Sequence, residues 1–329
     1  MKSRPEDINE SHLTRALEAW NVHATELTYA PVGFGDHHWT ATGANGQRWF
    51  VTVADLPLKG HPDPQAALRS LRAAMDTAAA LHHLDFVVAP LKTPKGETVR
   101  PLDARFALSV FPYMRGTPGD YDRPQTPAER AAVIDLLAEL HREPPPAMAP
   151  VLDTELALRG VLDKALAGTL PWAGGPFAAH ARTLITDHAP ALRRRLAEFD
   201  QLSATLAQSG VPPVLTHGEP HPGNLLRQDD RLLLIDWDTT GLALPERDLW
   251  SVAETPEDLA RYARAAGRAP DPAALALYRT RWDLDEVAIY TDWFRSPHTR
   301  SSDTKEAWDG LLESVANLVT SPQNHAPPT

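Results

Sequence analysis

The chain has no cysteine among its 329 residues. Disulfides and thiolate metal sites are therefore excluded. It has no run of about 18 apolar residues, so no membrane-spanning helix is expected. Its first residues, MKSRPEDINESH, lack the apolar core of a signal peptide. These absences point to the cytoplasm. Positive charge is scarce: 32 Lys and Arg face 43 Asp and Glu, a net charge of −11 at pH 7. That balance would repel a phosphate backbone, which argues against nucleic acid as a partner, and it would attract a cationic one.

What is present reads as an ordinary soluble domain, with 43% hydrophobic and 23% charged residues. The length is enough for two lobes. The 31 prolines gather in connectors such as Pro144-Pro145-Pro146 and in the tail Pro327-Pro328, so they punctuate the chain. Residues 7 to 20 predict a helix, with Leu13, Leu17 and Trp20 on one face. Leu27 to Val53 predicts antiparallel strands around two turns, Gly33-Phe34-Gly35-Asp36 and Gly43-Ala44-Asn45-Gly46. A helix from Gln65 to His83 follows, and further strands are expected at Phe86–Ala89 and Phe106–Val110. The motif Thr126-Pro127-Ala128-Glu129 is a capping box with proline at the first helical position. It opens a helix to His141, whose imidazole is expected to bond at the helix end. Ala179 to Gln208 predicts a helix whose Arg193-Arg194-Arg195 run is expected to be solvated. Thr255-Pro256-Glu257-Asp258 predicts another capped helix. Tyr278 to Phe294 predicts a helix carrying Asp283, Asp285, Glu286 and Asp292.

The stretch with most chemistry is Val214–Trp250. Two apolar runs, Leu225-Leu226 and Leu232 to Ile235, flank Arg227-Gln228-Asp229-Asp230, a β-hairpin pattern. Polar residues sit at the outer ends: His217, Glu219, His221 and Asn224 before, Asp236 and Asp238 after. A hairpin brings Asn224 and Asp236 to one mouth. An amide oxygen beside a carboxylate is a hard-oxygen site suited to Mg²⁺. Glu219 can hold or deprotonate a hydroxyl nucleophile.

This stretch resembles the aminoglycoside phosphotransferase family of small-molecule kinases. His217-Gly218-Glu219 with Asn224 matches that family's H-G-D-x-x-x-x-N loop, and Ile235-Asp236 matches the following I-D strand end. Pro245-Glu246-Arg247-Asp248-Leu249 is most similar to the branch containing spectinomycin phosphotransferases. The resemblance implies an α+β, bilobal protein-kinase-like fold. A small antiparallel-sheet lobe would occupy 1–114, a larger, mainly helical lobe 115–320, and a flexible tail 321–329. It implies transfer of the γ-phosphate of ATP or GTP, with Mg²⁺, to a hydroxyl of a small cationic molecule.

The site residues implied are Glu219 as base and Asn224 and Asp236 as metal ligands, with His217 and Asp248 as supports. Gly33 and Gly35 would lie over the phosphates, and Phe111 and Tyr113 at the adenine hinge. Asp283 and Glu286 would hold an amine. Two departures stand out. Thr52 occupies the position of the family's phosphate-binding lysine, and the helix 65–83 has no glutamate to pair with one. Lys59, Arg69 and Arg72 are candidate replacements. Glu219 stands where the family has aspartate. Both departures leave open a nucleotide-binding pseudokinase or regulatory protein. A metal-dependent hydrolase would need histidine ligand clusters, which the chain lacks.

Overall fold

In a computed structural model, residues 1–61, 63–121 and 123–320 are described. The expected tail at 321–329 lies outside them. In chain order the elements are α1 (Glu10–Leu17), β1 (Ala24–Ala30), β2 (His37–Gly43), β3 (Arg48–Asp55), α2 (Pro64–Ala80), β4 (Val99–Pro101), β5 (Phe106–Pro112), β6 (Thr117–Pro118) and α3 (Pro127–Leu140). They continue with α4 (Arg159–Leu166), α5 (Ala178–Ala207), β7 (Val214–Thr216), β8 (Leu225–Gln228), β9 (Arg231–Leu234) and β10 (Gly241–Ala243). The last are α6 (Glu246–Leu249), α7 (Pro256–Ala266), α8 (Pro272–Arg295) and α9 (Ser302–Thr320). Among the described residues no helix is long and apolar enough to cross a membrane.

Two compact units organise the chain. Met1–Asp153 groups with Val211–Leu275, and Thr154–Gly210 groups with the chain from Ala276 onward. The first unit holds a five-stranded antiparallel sheet in the order β1-β2-β3-β5-β4. Strand alternation buries Trp39 and Ala41 of β2 on one face, where they meet Leu13, Leu17 and Trp20 from the first helical segment. That helix starts at Glu10, later than its apolar spacing suggests, because Asn9 Oδ1 accepts the Ser11 N–H at 2.9 Å and caps it there. Leu68, Leu71 and Met75 of α2 cluster with Val99, Ala107 and Phe111.

Phe86–Ala89 is not a strand. Val87 makes only an isolated parallel bridge to Leu234, with Leu234 N–H donating to Phe86 C=O at 2.7 Å. Pro90 follows at once and has no N–H to continue a ladder. The edge beside β5 is taken by β4, which at three residues is too short to show a period.

Both capping boxes form. Glu129 N–H donates to Thr126 Oγ1 at 3.3 Å and Thr126 N–H to Glu129 Oε2 at 2.8 Å. In α7, Asp258 N–H donates to Thr255 Oγ1 at 3.2 Å and Thr255 N–H to Asp258 Oδ2 at 3.1 Å. The two helices are joined by a buried bond of 2.9 Å from Arg130 Nε to Asp258 Oδ2. Leu136, Leu137 and Leu140 of α3 share a core with Leu215, Leu225, Leu234 and Trp237, which seats the hairpin β8–β9.

The second unit contains α4, α5, α9 and α8 beyond Leu275. Phe177 stacks on Trp308 with ring centroids 5.7 Å apart. The Arg193-Arg194-Arg195 run is not simply a solvated face. Successive helical residues point about 100° apart, and Arg195 is turned inward, 6% exposed. Its Nε donates to Leu318 C=O at 2.8 Å, and Arg193 donates to Leu166 C=O.

Candidate active site

The hairpin pairs Leu225 with Leu234, Leu226 with Leu233, Arg227 with Leu232 and Gln228 with Arg231. Its turn is therefore Asp229-Asp230 alone, two residues shorter than the polar run suggests. Asp229 takes φ +52°, a left-handed conformation that aspartate adopts more readily than most residues. Below the paired residues, Ile235 N–H donates to Asn224 C=O at 3.0 Å. That bond places Asn224 and Asp236 at one mouth of the ribbon.

Asp236 departs from the strand at φ +66°. The left-handed turn re-aims its side chain and costs on the order of 1 kcal/mol or more. Its carboxylate keeps an open side to solvent but is otherwise walled by protein. That burial, then the charge of Asp238, holds its carboxyl well above the usual range. Burial would raise Asp238 too, but the charge and hydrogen bond of Lys59, together with smaller contributions, bring it below its ordinary value. Asn224 is 8% exposed. Its Nδ2 donates to Glu219 C=O at 2.9 Å and approaches His221 Nε2 at 3.3 Å. With the amide protons so used, the oxygen is the group left for a cation.

His217 braces the loop. Its Nε2 lies 3.0 Å from Ile235 C=O and its Nδ1 accepts Glu219 N–H at 3.2 Å, which assigns the proton to Nε2. Burial pushes its pKa down to about 4, so it is neutral near pH 7. Trp237 is fully buried, donates to Leu234 C=O at 2.9 Å and sets its ring edge-on to His217 at 4.7 Å. Sequence reasoning passed over Trp237, although its place between Asp236 and Asp238 was a signal. Gly218 sits at φ +106°, where a Cβ would run into the Arg247 guanidinium. That guanidinium donates to Thr216 Oγ1 and Thr239 C=O, both at 2.9 Å.

Asp248, on α6, is fully buried. It accepts His217 N–H at 2.8 Å, Gly218 N–H at 2.6 Å and His141 Nε2 at 3.0 Å. His141 continues to Tyr262 OH at 2.8 Å. The expectation of a histidine bonded at its own helix end missed this link, because 107 residues separate it from Asp248. Burial alone would raise the Asp248 carboxyl; the bond to His141, with nearby positive charge, brings it below its ordinary value. Its stabilisation is therefore complete above the usual carboxylate range and is lost as pH falls through the lower folded value. Asp248→Ala is expected to destabilise the fold by on the order of 3 kcal/mol, since it strands two buried N–H groups and a histidine. Urea unfolding at pH 7 checks this, and a loss below about 1 kcal/mol would deny Asp248 its bracing role.

Glu219 is half-buried, with Oε2 3.9 Å from His221 Nε2. His221 is pushed down to about 4, chiefly by burial, and meets Tyr121 edge-on at 5.0 Å. Gly33 and Gly35 have φ +67° and +93°, so the turn between β1 and β2 uses glycine's freedom. The Met1 ammonium donates to the carbonyls of Val32, Gly33 and Asp36 at 3.2, 3.0 and 2.6 Å. Thr52 on β3 lies 3.2 Å from His38 Nδ1. Phe111 is buried in β5 opposite Phe50, and Tyr113 follows the strand's end with the Arg48 guanidinium 3.7 Å from its ring centre.

In the second unit, Asp283 is 8% exposed and accepts from Asn317 Nδ2 at 3.1 Å. Burial raises Asp283 to about 6 and Glu286 to about 7. For Glu286 the folded state holds a proton that the unfolded state releases near 4.5, so stability falls as pH rises from there to about 7. Glu286→Gln is expected to raise the melting temperature by several degrees at pH 8 and by little at pH 4.5. Thermal unfolding at both values checks it.

Among the described residues no group of three or more His, Asp or Glu is placed to hold a metal ion. The donors at the hairpin mouth still fit Mg²⁺, which keeps several waters and binds through one or two protein oxygens plus phosphate.

Solved structures with this fold act on diverse small molecules. A spectinomycin phosphotransferase crystallised with ADP and spectinomycin is 15% identical, with TM-score 0.70 over 96% of this chain and 99% of that one. An amicoumacin kinase is 15% identical, with TM-score 0.58 over 94% and 92%. A Plasmodium vivax ethanolamine kinase is 9% identical, with TM-score 0.57 over 95% of each. At such identities the likeness shows the fold: a mixed α+β chain with an antiparallel sheet in its N-terminal part and helices in its C-terminal part, shared with kinase-like enzymes. No curated protein sequence matches the chain. The profile of the phosphotransferase enzyme family matches residues 28–316, from the first strand through the hairpin into the last helix, and the chain belongs to that family.

Proposed function

We propose that the protein uses Mg²⁺ and ATP, or GTP, to phosphorylate a hydroxyl of a small cationic molecule. The acceptor class is an aminoglycoside or aminocyclitol, or a related metabolite. The observation that carries this reading is the hairpin mouth. Asn224 and Asp236 are drawn together by the 3.0 Å bond between Ile235 and Asn224, with Asp236 open to solvent. The spectinomycin enzyme's ADP and the amicoumacin kinase's AMP-PNP and Ca²⁺ support nucleotide and divalent-metal use.

In this reading residues 1–114 bind nucleotide, and 115–320 carry the catalytic loop and the acceptor pocket. Bound Mg²⁺ would neutralise charge on the β- and γ-phosphates. Asn224 and Asp236 hold it. Gly33 and Gly35 let backbone N–H groups approach the phosphates. The backbone at Phe111 and Tyr113 pairs with the base. Glu219 aligns the acceptor hydroxyl and takes its proton as the oxygen–phosphorus bond forms and the bond to the β-phosphate bridging oxygen breaks. Asp283 and Glu286 are the proposed amine holders; burial raises both, and a substrate ammonium would offset that desolvation.

Thr52, together with a Lys59 already engaged by acids, favours a second reading, a nucleotide-binding regulator without transfer activity. A mass-spectrometric phosphorylation screen over aminocyclitols, aminoglycosides and cellular alcohols decides between them. A product 80 Da heavier, about one phosphoryl group, supports the enzyme. Mg²⁺-dependent nucleotide binding with no product across the panel supports the regulator.

A further inference from the structure

The hairpin mouth collects negative charge. Asp36, Asp238 and Glu219 all act on Asp236, and a triphosphate would add more. The histidines nearby do not answer it: burial holds His38 at about 3, and His217 has both ring nitrogens engaged, by Ile235 C=O and Glu219 N–H. Thr52 contributes a hydroxyl bonded to one of them. The Met1 ammonium is spent on three carbonyls. Arg69 is exposed on α2.

Lys59 is the exception. It follows β3 at the end of a short 3-10 turn, Leu56–Leu58. Its Nζ lies 2.6 Å from Asp238 Oδ2 and 2.8 Å from Asp36 Oδ1. Among the described residues it is the cation ion-paired with the acids of this mouth. Both carboxylate oxygens lie within hydrogen-bond distance of Nζ; the one on Asp238 is the nearer and the better aligned, and Asp36 is held mainly as an ion pair. The Asp36 arm of the grip is thus the looser one. Lysine's flexible four-carbon stem and compact charge suit a group that changes partners.

We propose that Lys59 is the phosphate-binding cation of this site, carried by the turn after β3 and stored between Asp36 and Asp238 until nucleotide arrives. The arriving phosphate oxygens compete for its three protons, and the ammonium turns from Asp36 onto them. Thr52 on β3 is thereby freed from any charged role. Asp238 is committed to orienting Lys59, while Asp236 and Asn224 are left to the metal. This inference rests on the nucleotide-binding reading above.

Calorimetry with Mg²⁺ and adenosine, ADP and ATP tests it on wild type, Lys59→Met and Lys59→Arg. In Lys59→Met, ADP and ATP affinity should fall about ten- to a hundredfold, the scale of a charged hydrogen bond, with adenosine affinity unchanged. Lys59→Arg should recover part of that loss. An equal loss for adenosine, or no loss for ADP and ATP, overturns the assignment while leaving the nucleotide-binding reading standing. Wild-type protein that binds none of the three ligands overturns both.

Because Lys59→Met strands two acids and could unfold, a second readout uses folded wild type. The Lys59 side-chain resonance in ¹³C-lysine-labelled protein, identified by its loss in Lys59→Arg, should move with ADP and stay fixed with adenosine. Identical behaviour with the two ligands overturns the proposal.

Discussion

Asp236→Asn will lower turnover at least about a thousandfold, because a metal's charge stabilisation is worth several kcal/mol and each 1.36 kcal/mol is a decade in rate. Asparagine is the informative replacement. Asp236 sits at φ +66°, and asparagine tolerates that left-handed backbone where alanine would add strain. The variant therefore removes a charged ligand without disturbing the path of the ribbon. Its melting temperature should stay within a few degrees of wild type. Steady-state kinetics across a Mg²⁺ titration give the measurement. The loss should appear in turnover at saturating nucleotide, with a higher Mg²⁺ requirement. Turnover within tenfold of wild type would mean that Asp236 is not the metal's anchor.

The parts of this fold legible in the sequence are those with a local cause. Thr126 and Thr255 announce their helices because a capping box is complete within four residues. The hairpin is legible because its apolar runs pair with one another across a short turn. The failures have long-range causes. Phe86–Ala89 has strand composition, but the edge beside β5 is taken by β4, so it is left a single bridge to Leu234. Arg195 carries the composition of a surface patch and is buried because the last turn of α9 brings Leu318 C=O to it. His141 could not be joined to Asp248 without knowing that the end of α3 meets α6 beside the His217 loop, with Asp248 bonded to both histidines. At the site, spacing alone brings Asn224 to Asp236. It leaves three candidate cations where geometry distinguishes Lys59, whose partners lie 23 residues before it and 179 after.

Glu219→Gln is expected to lower turnover by at least about a hundredfold, the scale of a lost general base, with little change in nucleotide affinity. Glutamine keeps the side chain's length and the backbone N–H bond to His217 at 3.2 Å, so the loop should hold its shape. What disappears is the carboxylate's ability to align the hydroxyl and receive its proton. The transition state is loose, so alignment matters more than early proton removal, and a neutral amide accepts the hydroxyl's hydrogen bond more weakly than a carboxylate does. Glu219→Asp sharpens the result. It keeps a carboxylate but withdraws it by on the order of 1 Å, a shift large enough to cost rate when reacting atoms must sit near contact. Pro220 holds the preceding backbone extended, so the loop cannot readily follow. A site built for glutamate should lose activity in both variants, more in the glutamine one. Full activity in Glu219→Gln would remove this side chain from the chemistry. Full activity in Glu219→Asp alone would show that the longer arm does not determine where the acceptor sits.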